Sequence, residues 1–416
     1  MIRFGVVGVG GFAATWVRSL QGLEREGTAQ LAAAVVRRPD HYRDQVVRLQ
    51  DAGCSIYPDL DAMLAAGRVS LDVIGIPAGI AYHEPMAVRA MEAGYNVIIE
   101  KPVAGTVQEA NHLREVERRT GRWCAVGYQW IHSPTARWIV SRLTGGSLGR
   151  LREARSMIAW PRDSAYYHRN AWAGQLRDGD RWVLDGPATN ATAHYLTQML
   201  YYVAAQQQRP IAIEAVRAEL YRARPIPSYD TSCIQVLMPG GARVLHFVSH
   251  ALTQQHDPVI HLDCERGSLD WTAEGDAAVI RYADGREERY ANPDPDRVHM
   301  LPLEQTARAA AGLDPAPLCG LAEGTPHVLA INLAFESSRG VVTLPLDRLS
   351  HTQSASGGEL VAIEGMEDAL SRAYATGAMF SEMGIPWARV TEAVSAAHYV
   401  AFPRAPELRR ALEAGA

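Results

Sequence analysis

Lysine occurs once in this 416-residue chain: of its 41 basic side chains all but Lys101 are arginine. Arginine keeps its proton in any protein setting, whereas a lysine ammonium can release one when burial or a nearby cation lowers its pKa. Lys101, flanked by Glu100 and Pro102, is therefore the candidate proton carrier. A second group stands near the N-terminus, Gly8-Val9-Gly10-Gly11-Phe12-Ala13, a G-x-G-x-x-A run between an apolar stretch (2–7) and a helix-like one (14–26). In that setting the first glycine permits a tight turn and the second lets backbone approach a pyrophosphate. The small residue at 13 lets the helix lie close to the strand, and the helix N-terminus receives the phosphate. Gly8, Gly10, Gly11, Phe12 and Ala13 are the expected contacts. A third group is Arg37-Arg38, at the end of the next apolar run (31–36), where an acid that accepts a ribose 2′-hydroxyl would normally stand. Two guanidiniums and no strand-end carboxylate favour a 2′-phosphate, so NADP is the expected cofactor, with NAD possible.

These residues need a frame. Apolar runs at 71–76, 96–99 and 123–127 alternate with helical patterns at 83–93 and 108–120, continuing the alternation begun at 2–7, 14–26 and 31–36. Such βα alternation predicts a Rossmann nucleotide-binding domain over 1–130, a parallel sheet with helices on both faces. Ligands of such sheets sit at the carboxyl ends of strands, and Pro77, Glu100, Lys101 and Gln129 all fall just past one. From about 146 the pattern changes to period-two strands at 211–221, 232–238, 242–250, 259–264, 267–271 and 277–282, an open, mainly antiparallel sheet of about six strands. A helix over 190–204 interrupts it, and helices near 303–311 and 327–338 are expected to return to the first domain. This gives an α+β domain over 131–350 for substrate and oligomer contacts, followed by a C-terminal helical extension over 351–416. Helices are expected there over 367–383 and 388–400, with a break at Gly384-Ile385-Pro386.

Aromatics crowd one stretch of the second domain: Trp160, Tyr166, Tyr167, Trp172 and Trp182, interleaved with Arg162, His168, Arg169, Asn170 and Arg177. Flat rings cover the C–H face of a pyranose while Arg and Asn reach hydroxyls or a carboxylate. Trp160, Tyr167, Arg169, Asn170 and Trp172 are the expected substrate contacts; a subunit interface would use the same residue types. His246 and His250 are evenly spaced on one strand and could face the substrate. His256, His261 and Asp263 lack ligand spacing, so no metal is expected.

Composition bounds the partners. With 47% hydrophobic and 21% charged residues and a net charge of −5, the chain is neither disordered nor drawn to nucleic acid or anionic lipid, and no apolar run reaches membrane-spanning length. Five scattered cysteines fit reduced thiols and a cytoplasmic location. A small molecule is the expected partner, and exposed sheet faces make a homodimer or homotetramer the expected assembly.

The glycine run at 8–13, Pro77 with His83 in the next helix, Glu100-Lys101-Pro102 and Gly127-Tyr128-Gln129 together resemble the Gfo/Idh/MocA family of NAD(P)-dependent oxidoreductases, relatives of glucose-fructose oxidoreductase and the inositol dehydrogenases. The resemblance runs over about 1–347. It implies a nicotinamide near Glu100 and Lys101, a substrate on the open sheet, and His83 among the cofactor contacts. It also implies a D-x-x-x-H pair on the first helix of the second domain. That pair reads Asn190 and His194 here, with Asn190 in the aspartate's place, so acid–base work falls to Lys101 or His194 while Asn190 orients a hydroxyl. Residues four apart share a helix face, so both are expected to reach one substrate. The activity implied is hydride transfer at a ring hydroxyl carbon of a sugar, glycoside or polyol. The alternatives are redox-neutral glycoside processing on a retained cofactor, and a non-catalytic nicotinamide-binding sensor.

Overall fold

The computed structural model describes residues 1–66 and 71–414. They form two compact units: Met1–Ala104 with Glu109–Ser133 and Asp294–Thr325, and Gly105–Gln108 with Pro134–Pro293 and Pro326–Ala416.

The first unit alternates β1 (Ile2–Val7), α1 (Ala13–Arg25), β2 (Ala29–Val35), α2 (Arg43–Asp51), β3 (Ser55–Tyr57), α3 (Leu60–Ala65), β4 (Val73–Ile76), α4 (Ile80–Glu92), β5 (Asn96–Ile99), α5 (Val107–Thr120) and β6 (Cys124–Val126). The strands pair in parallel in the order β3-β2-β1-β4-β5-β6, the doubly wound Rossmann arrangement. β4 is buried throughout and β5 from Val97 onward, which is why both read as unbroken apolar runs. In α1, Trp16, Val17, Leu20 and Leu23 recur at helical spacing and bury against Phe4, Val6 and Leu31. Expected strands and helices of this unit lie within about three residues of the observed ones. α2, β3 and α3 went unread because their short segments carry too few apolar residues to show a period.

The second unit contains α6 (Pro134–Thr144), β7 (Leu151–Ala159), α7 (Ser164–Tyr167), a small hairpin of β8 (Arg177–Asp178) and β9 (Arg181–Trp182), α8 (Ala193–Gln207), and β10 (Ala215–Arg222), β11 (Thr231–Leu237), β12 (Arg243–Ser249), β13 (His256–Cys264), β14 (Gly267–Thr272), β15 (Ala277–Tyr282) and β16 (Glu287–Ala291). α9 (Leu301–Ala310) returns to the first unit as expected, but α10 (Leu321–Ser338) passes into the second unit from Pro326. β17 (Val342–Thr343) then completes one edge, and the main path of the sheet runs β16-β15-β14-β13-β7-β12-β11-β10-β17. All pairs along it are antiparallel except β7 with β12 and β10 with β17. β7 was not expected, because Arg152, Glu153 and Arg155 break its apolar pattern. Cross-strand pairing absorbs two of those charges, Arg152 on Asp263 at 3.1 Å and Glu153 with Arg243, and Arg155 lies over Tyr374.

The extension differs most from expectation. It opens with a hairpin, β18 (Leu349–Gln353) and β19 (Glu359–Ile363), and its first helix, α11 (Met366–Thr376), stops seven residues short of 383 at Gly377, whose φ of +67° suits a left-handed cap. Residues 388–400 are not a helix. They are extended chain in which β20 (Val394–Ser395) pairs with β10, before a last helix, α12 (Pro406–Ala414). Met366, Ala369, Leu370, Ala373, Met379 and Phe380 bury against Cys233, Leu245 and Phe247 of the sheet. β12 is thus buried on both faces, which explains its near-continuous apolar sequence.

Candidate functional site

In the first unit β2, β1, β4, β5 and β6 end side by side, so the residues that follow them form one row: Arg37 and Arg38, Gly8, Pro77, Glu100 with Lys101, and Gln129. Gly8 has a φ of +95°, its N–H donates to the Val35 carbonyl at 3.0 Å, and Ala13 Cβ lies 3.6 Å from where a Gly8 side chain would begin. A side chain on Gly10 would collide with the Tyr42 hydroxyl. No side chain caps the N-terminus of α1 at Phe12. A cavity of about 420 Å³ opens at this turn, lined by Gly8, Gly10, Arg37, Arg38, Tyr42 and Tyr82 among others. The turn, the uncapped helix end and the cavity fit a dinucleotide: pyrophosphate at the glycines, adenosine ribose beside the arginines.

The acids at this rim are committed. Asp61 pairs with Arg89, Asp59 accepts the Ala62 N–H at 2.8 Å as the cap of α3, and Asp40 lies 3.6 Å from Arg43. Among the described residues none of them pairs with Arg37 or Arg38, which are exposed. Tyr42, Tyr82, Met86, Asp59 and Asp61 were missed as cavity residues because they come from turns and helices whose lengths fix where they land.

At the end of β5 Glu100 is buried, accepting the Trp16 indole N–H at 3.0 Å and the Lys101 amide N–H at 3.1 Å. Burial raises its pKa to about 7, against the lowering pull of Lys101 and these two hydrogen bonds. Gly127 is required beside it, since a Cβ there would come within 3.0 Å of the Glu100 carboxyl oxygen. His83, expected as a cofactor contact, is fully buried: its ring nitrogens lie 2.7 Å from the Pro102 carbonyl and 3.0 Å from that of Ala78. Burial lowers its pKa to about 4, so the ring is neutral and its one N–H donates to one of the two carbonyls. His83 holds the turn that carries Lys101 and is a positioning residue. Pro77 is likewise buried, Gln129 is half-buried, and Phe12 is exposed beside the His299 ring.

In the second unit Asn190 and His194 do not share one α-helical face. Pro187–Ala191 form a π-helical turn, the backbone breaks at Thr192 (φ −113°, ψ 11°), and α8 starts at Ala193. The break is held by a polar chain: Ser156 Oγ to His246 Nδ1 at 2.7 Å, His246 Nε2 to Thr192 Oγ1 at 2.9 Å, and the Thr192 hydroxyl to the Pro187 carbonyl at 3.0 Å. His246 is therefore a buried brace, not a substrate group. The Asn190 amide donates to Asp185 Oδ1 at 2.9 Å, and Asp185 also accepts the Gly174 N–H at 2.8 Å. Asp185 is the buried anchor of Asn190. His194 stacks edge-on to Tyr195, which in turn meets Trp160 at 6.1 Å between ring centres.

The aromatic segment is assembled as one cluster. Trp160 donates to Asp257 at 3.1 Å, Arg169 lies 3.6 Å over the Tyr166 ring and 5.6 Å from that of Trp172, and the Asn170 side-chain oxygen accepts the Trp172 N–H at 3.1 Å. Asn170 is occupied in shaping this turn. Tyr167 is inward-facing, under Arg224 at 5.3 Å. Lys101 belongs to the first unit, Asn190, His194 and the aromatic cluster to the second. All five cysteines are free and buried, and no described helix is long and apolar enough to cross a membrane.

Sheet order, glycine turn and cavity define a dinucleotide-binding domain. Residues 2–128 match the model of the oxidoreductase family with NAD-binding Rossmann fold, GFO_IDH_MocA. A dTDP-3,4-didehydro-2,6-dideoxy-alpha-D-glucose 3-reductase of Actinomadura kijaniata is 27% identical over 180 residues, 42% of this chain and 52% of that protein. A glycosyl hydrolase family 109 protein of Shewanella sp. (strain ANA-3) is 24% identical over 185 residues, 43% of this chain and 38% of that one. The chain thus spans about half the length, or less, of these curated relatives. Among solved structures, the WlbA dehydrogenase from Bordetella pertussis in complex with NADH and UDP-GlcNAcA superposes with a TM-score of 0.66 at 22% identity, over 81% of this chain and 96% of that one. The aldose-aldose oxidoreductase from Caulobacter crescentus complexed with glycerol gives 0.68 at 17% identity, over 81% and 97%. These likenesses show the Rossmann-plus-sheet fold.

Proposed function

We propose that the chain is an NADP-dependent dehydrogenase or reductase that acts on a ring hydroxyl carbon of a sugar, glycoside or polyol. The observation that carries this reading is the row of strand ends in the first unit. A glycine-turned cavity rimmed by two uncommitted arginines lies along the same sheet edge as the chain's one lysine. Gly8, Gly10 and the first turn of α1 hold the pyrophosphate, and Arg37 and Arg38 the 2′-phosphate. The bound nicotinamide supplies the hydride donor or acceptor. Lys101 takes the hydroxyl proton during oxidation and returns it in the reverse direction. Glu100, fixed by Trp16, and His83, fixed under Pro102, hold the turn that aims the lysine. Asn190 and His194 are assigned to substrate hydroxyls. Asp185 accepts one amide N–H of Asn190, and an amide orients a hydroxyl by hydrogen bonding but has no capacity to accept its proton.

The test is a panel of sugars, glycosides and polyols with NADP and NAD, read by nicotinamide absorbance. Turnover with NADP preferred supports the reading, and tight NADP binding with no turnover on any panel member, in either direction, overturns it. The glycosyl hydrolase name of one relative favours a second reading, redox-neutral glycoside cleavage on a retained cofactor. That reading requires nucleotide to co-purify at one per chain and glycoside to be cleaved with no net change in reduced nicotinamide.

A further inference from the structure

Three arginines converge in the second unit, and among the described residues only Arg169 comes within ion-pair distance of an acid, Asp185 at 3.8 Å. Arg162 and Arg169 lie on the ring of Tyr166, their guanidinium carbons 5.0 and 3.6 Å from its centre, and Arg224 lies 5.3 Å from the centre of the Tyr167 ring. The ring of His250 meets Tyr166 edge-on at 5.5 Å, and after burial itself the charges of Arg162, Arg169 and Arg224 hold His250 well below its ordinary pKa. The imidazole is therefore neutral, and the local positive charge is carried by guanidinium groups.

The neighbouring carboxylates are engaged elsewhere. Asp230 accepts the backbone N–H groups of Ala223 and Arg224 and the Thr231 hydroxyl, and Asp163 accepts the hydroxyls of Ser354 and Ser356. Asp185 accepts Gly174 and Asn190 and reaches Arg169 only at 3.8 Å, while the Glu359 carboxylate meets His351. Arg224, 5% exposed, donates through Nη2 to the carbonyls of Arg162 and Glu359, and its Nε is buried without a partner among the described residues. The same holds for Nε2 of His250, which is 2% exposed, and for the Tyr167 hydroxyl. Arg162 goes furthest: its guanidinium donates to no described residue, its Nε is buried, and its contacts are the faces of Trp160 and Tyr166.

Partly dehydrated like charges held this close repel, and a guanidinium without an acceptor forfeits its strongest interaction. We propose that this cluster, Arg162, Arg169 and Arg224 with Tyr167 and His250, is an oxyanion subsite that binds a carboxylate or phosphate carried by the sugar substrate. The planar fork of Arg162 suits bidentate recognition, Arg169, whose Nη1 donates to the Tyr166 carbonyl at 2.6 Å, adds positive charge beside it, and Trp160 and Trp172 flank them as surfaces for the sugar ring. The proposal rests on the reading that a sugar is the substrate, and narrows it to acidic sugars.

Arg162→Gln tests it without endangering the fold, since the arginine side chain donates to nothing that would be orphaned. The probes are glucuronate, galacturonate, their 6-phosphate counterparts glucose 6-phosphate and galactose 6-phosphate, and the neutral parents glucose and galactose. Binding is measured by calorimetry on full-length protein with and without NADP. At least one acidic probe should bind about tenfold or more tighter than its neutral parent, with the uronate or the phosphate arm identifying the anion. In Arg162→Gln that preference should collapse to within about threefold at unchanged NADP affinity, and Arg162→Lys should restore part of it. Equal binding of acidic and neutral sugars, or an acid preference that survives Arg162→Gln, overturns the proposal even if neutral sugars are oxidised. Acid-selective binding without oxidation of any sugar supports the subsite and counts against the oxidoreductase reading instead.

Discussion

Lys101 matters because it is the chain's only side chain of its kind, and because its neighbours hold the backbone turn that carries it. Glu100 is locked by Trp16, and His83 sits under the Pro102 carbonyl. Lys101→Met should lower turnover by about 10²- to 10⁴-fold while NADP affinity changes little; initial rates beside fluorescence titration of the nucleotide measure the split. Arg37→Gln with Arg38→Gln should weaken NADP binding by roughly tenfold or more and spare NAD, because each charge-assisted bond to a phosphate contributes about 1.5–3 kcal/mol. Loss of both cofactors equally would count against these arginines as the 2′-phosphate contacts. Glu100 also predicts a pH signature. Its pKa in the fold, about 7, lies above the ordinary 4.5, so the fold favours its protonated form. That stability is fully present below pH 4.5 and is lost as pH rises through 7, by about 3 kcal/mol. His83, lowered to about 4, acts oppositely, its share being present above 6.5 and lost as pH falls through 4. The comparison that isolates the carboxyl is therefore wild type against Glu100→Gln in urea melts from pH 4 to 8. The variant should gain relative stability as pH rises, and a constant difference would refute the assignment.

At the scale of elements, the break between the π-helical turn and α8 decides where Asn190 and His194 point. Nothing in Asn190-Ala191-Thr192-Ala193-His194 distinguishes a π turn from the first turn of an α-helix, since both accept the same residue types. What selects it is the hydroxyl of Thr192, bonded to Pro187 locally and to His246 across the sheet. Thr192→Val keeps the shape and removes both bonds, leaving His246 Nε2 unsatisfied in the interior while the Pro187 carbonyl keeps the backbone N–H of residue 192. A loss of about 1–3 kcal/mol is expected from equilibrium unfolding. Substrate KM should rise more than NADP affinity falls. The glycine turn after β1 behaves differently: strand, turn and helix there are contiguous, and Gly8 and Gly11 answer a local backbone demand with positive φ, while Gly10 answers the distant Tyr42.

At the scale of the molecule, the extension is part of the second unit's core. Phe380 is fully buried, against Tyr221, Phe247 and Trp387. Phe380→Ala should destabilise that unit by about 3–5 kcal/mol, visible as a lower melting transition for the second unit with NADP binding intact. A variant that melts like wild type would mean the extension is a loose appendage. Alternation, the glycine run, the arginine pair and the lone lysine were all set by the sequence itself, because each depends on residues within a few positions of one another. The central place of β7, the bracing of His246, the commitment of Asp185 to Asn190 and the gathering of Arg162 with Arg224 were decided only by the tertiary structure. Each joins positions far apart in the chain, and such contacts follow from which strands pair and what packs over them, which no local pattern records.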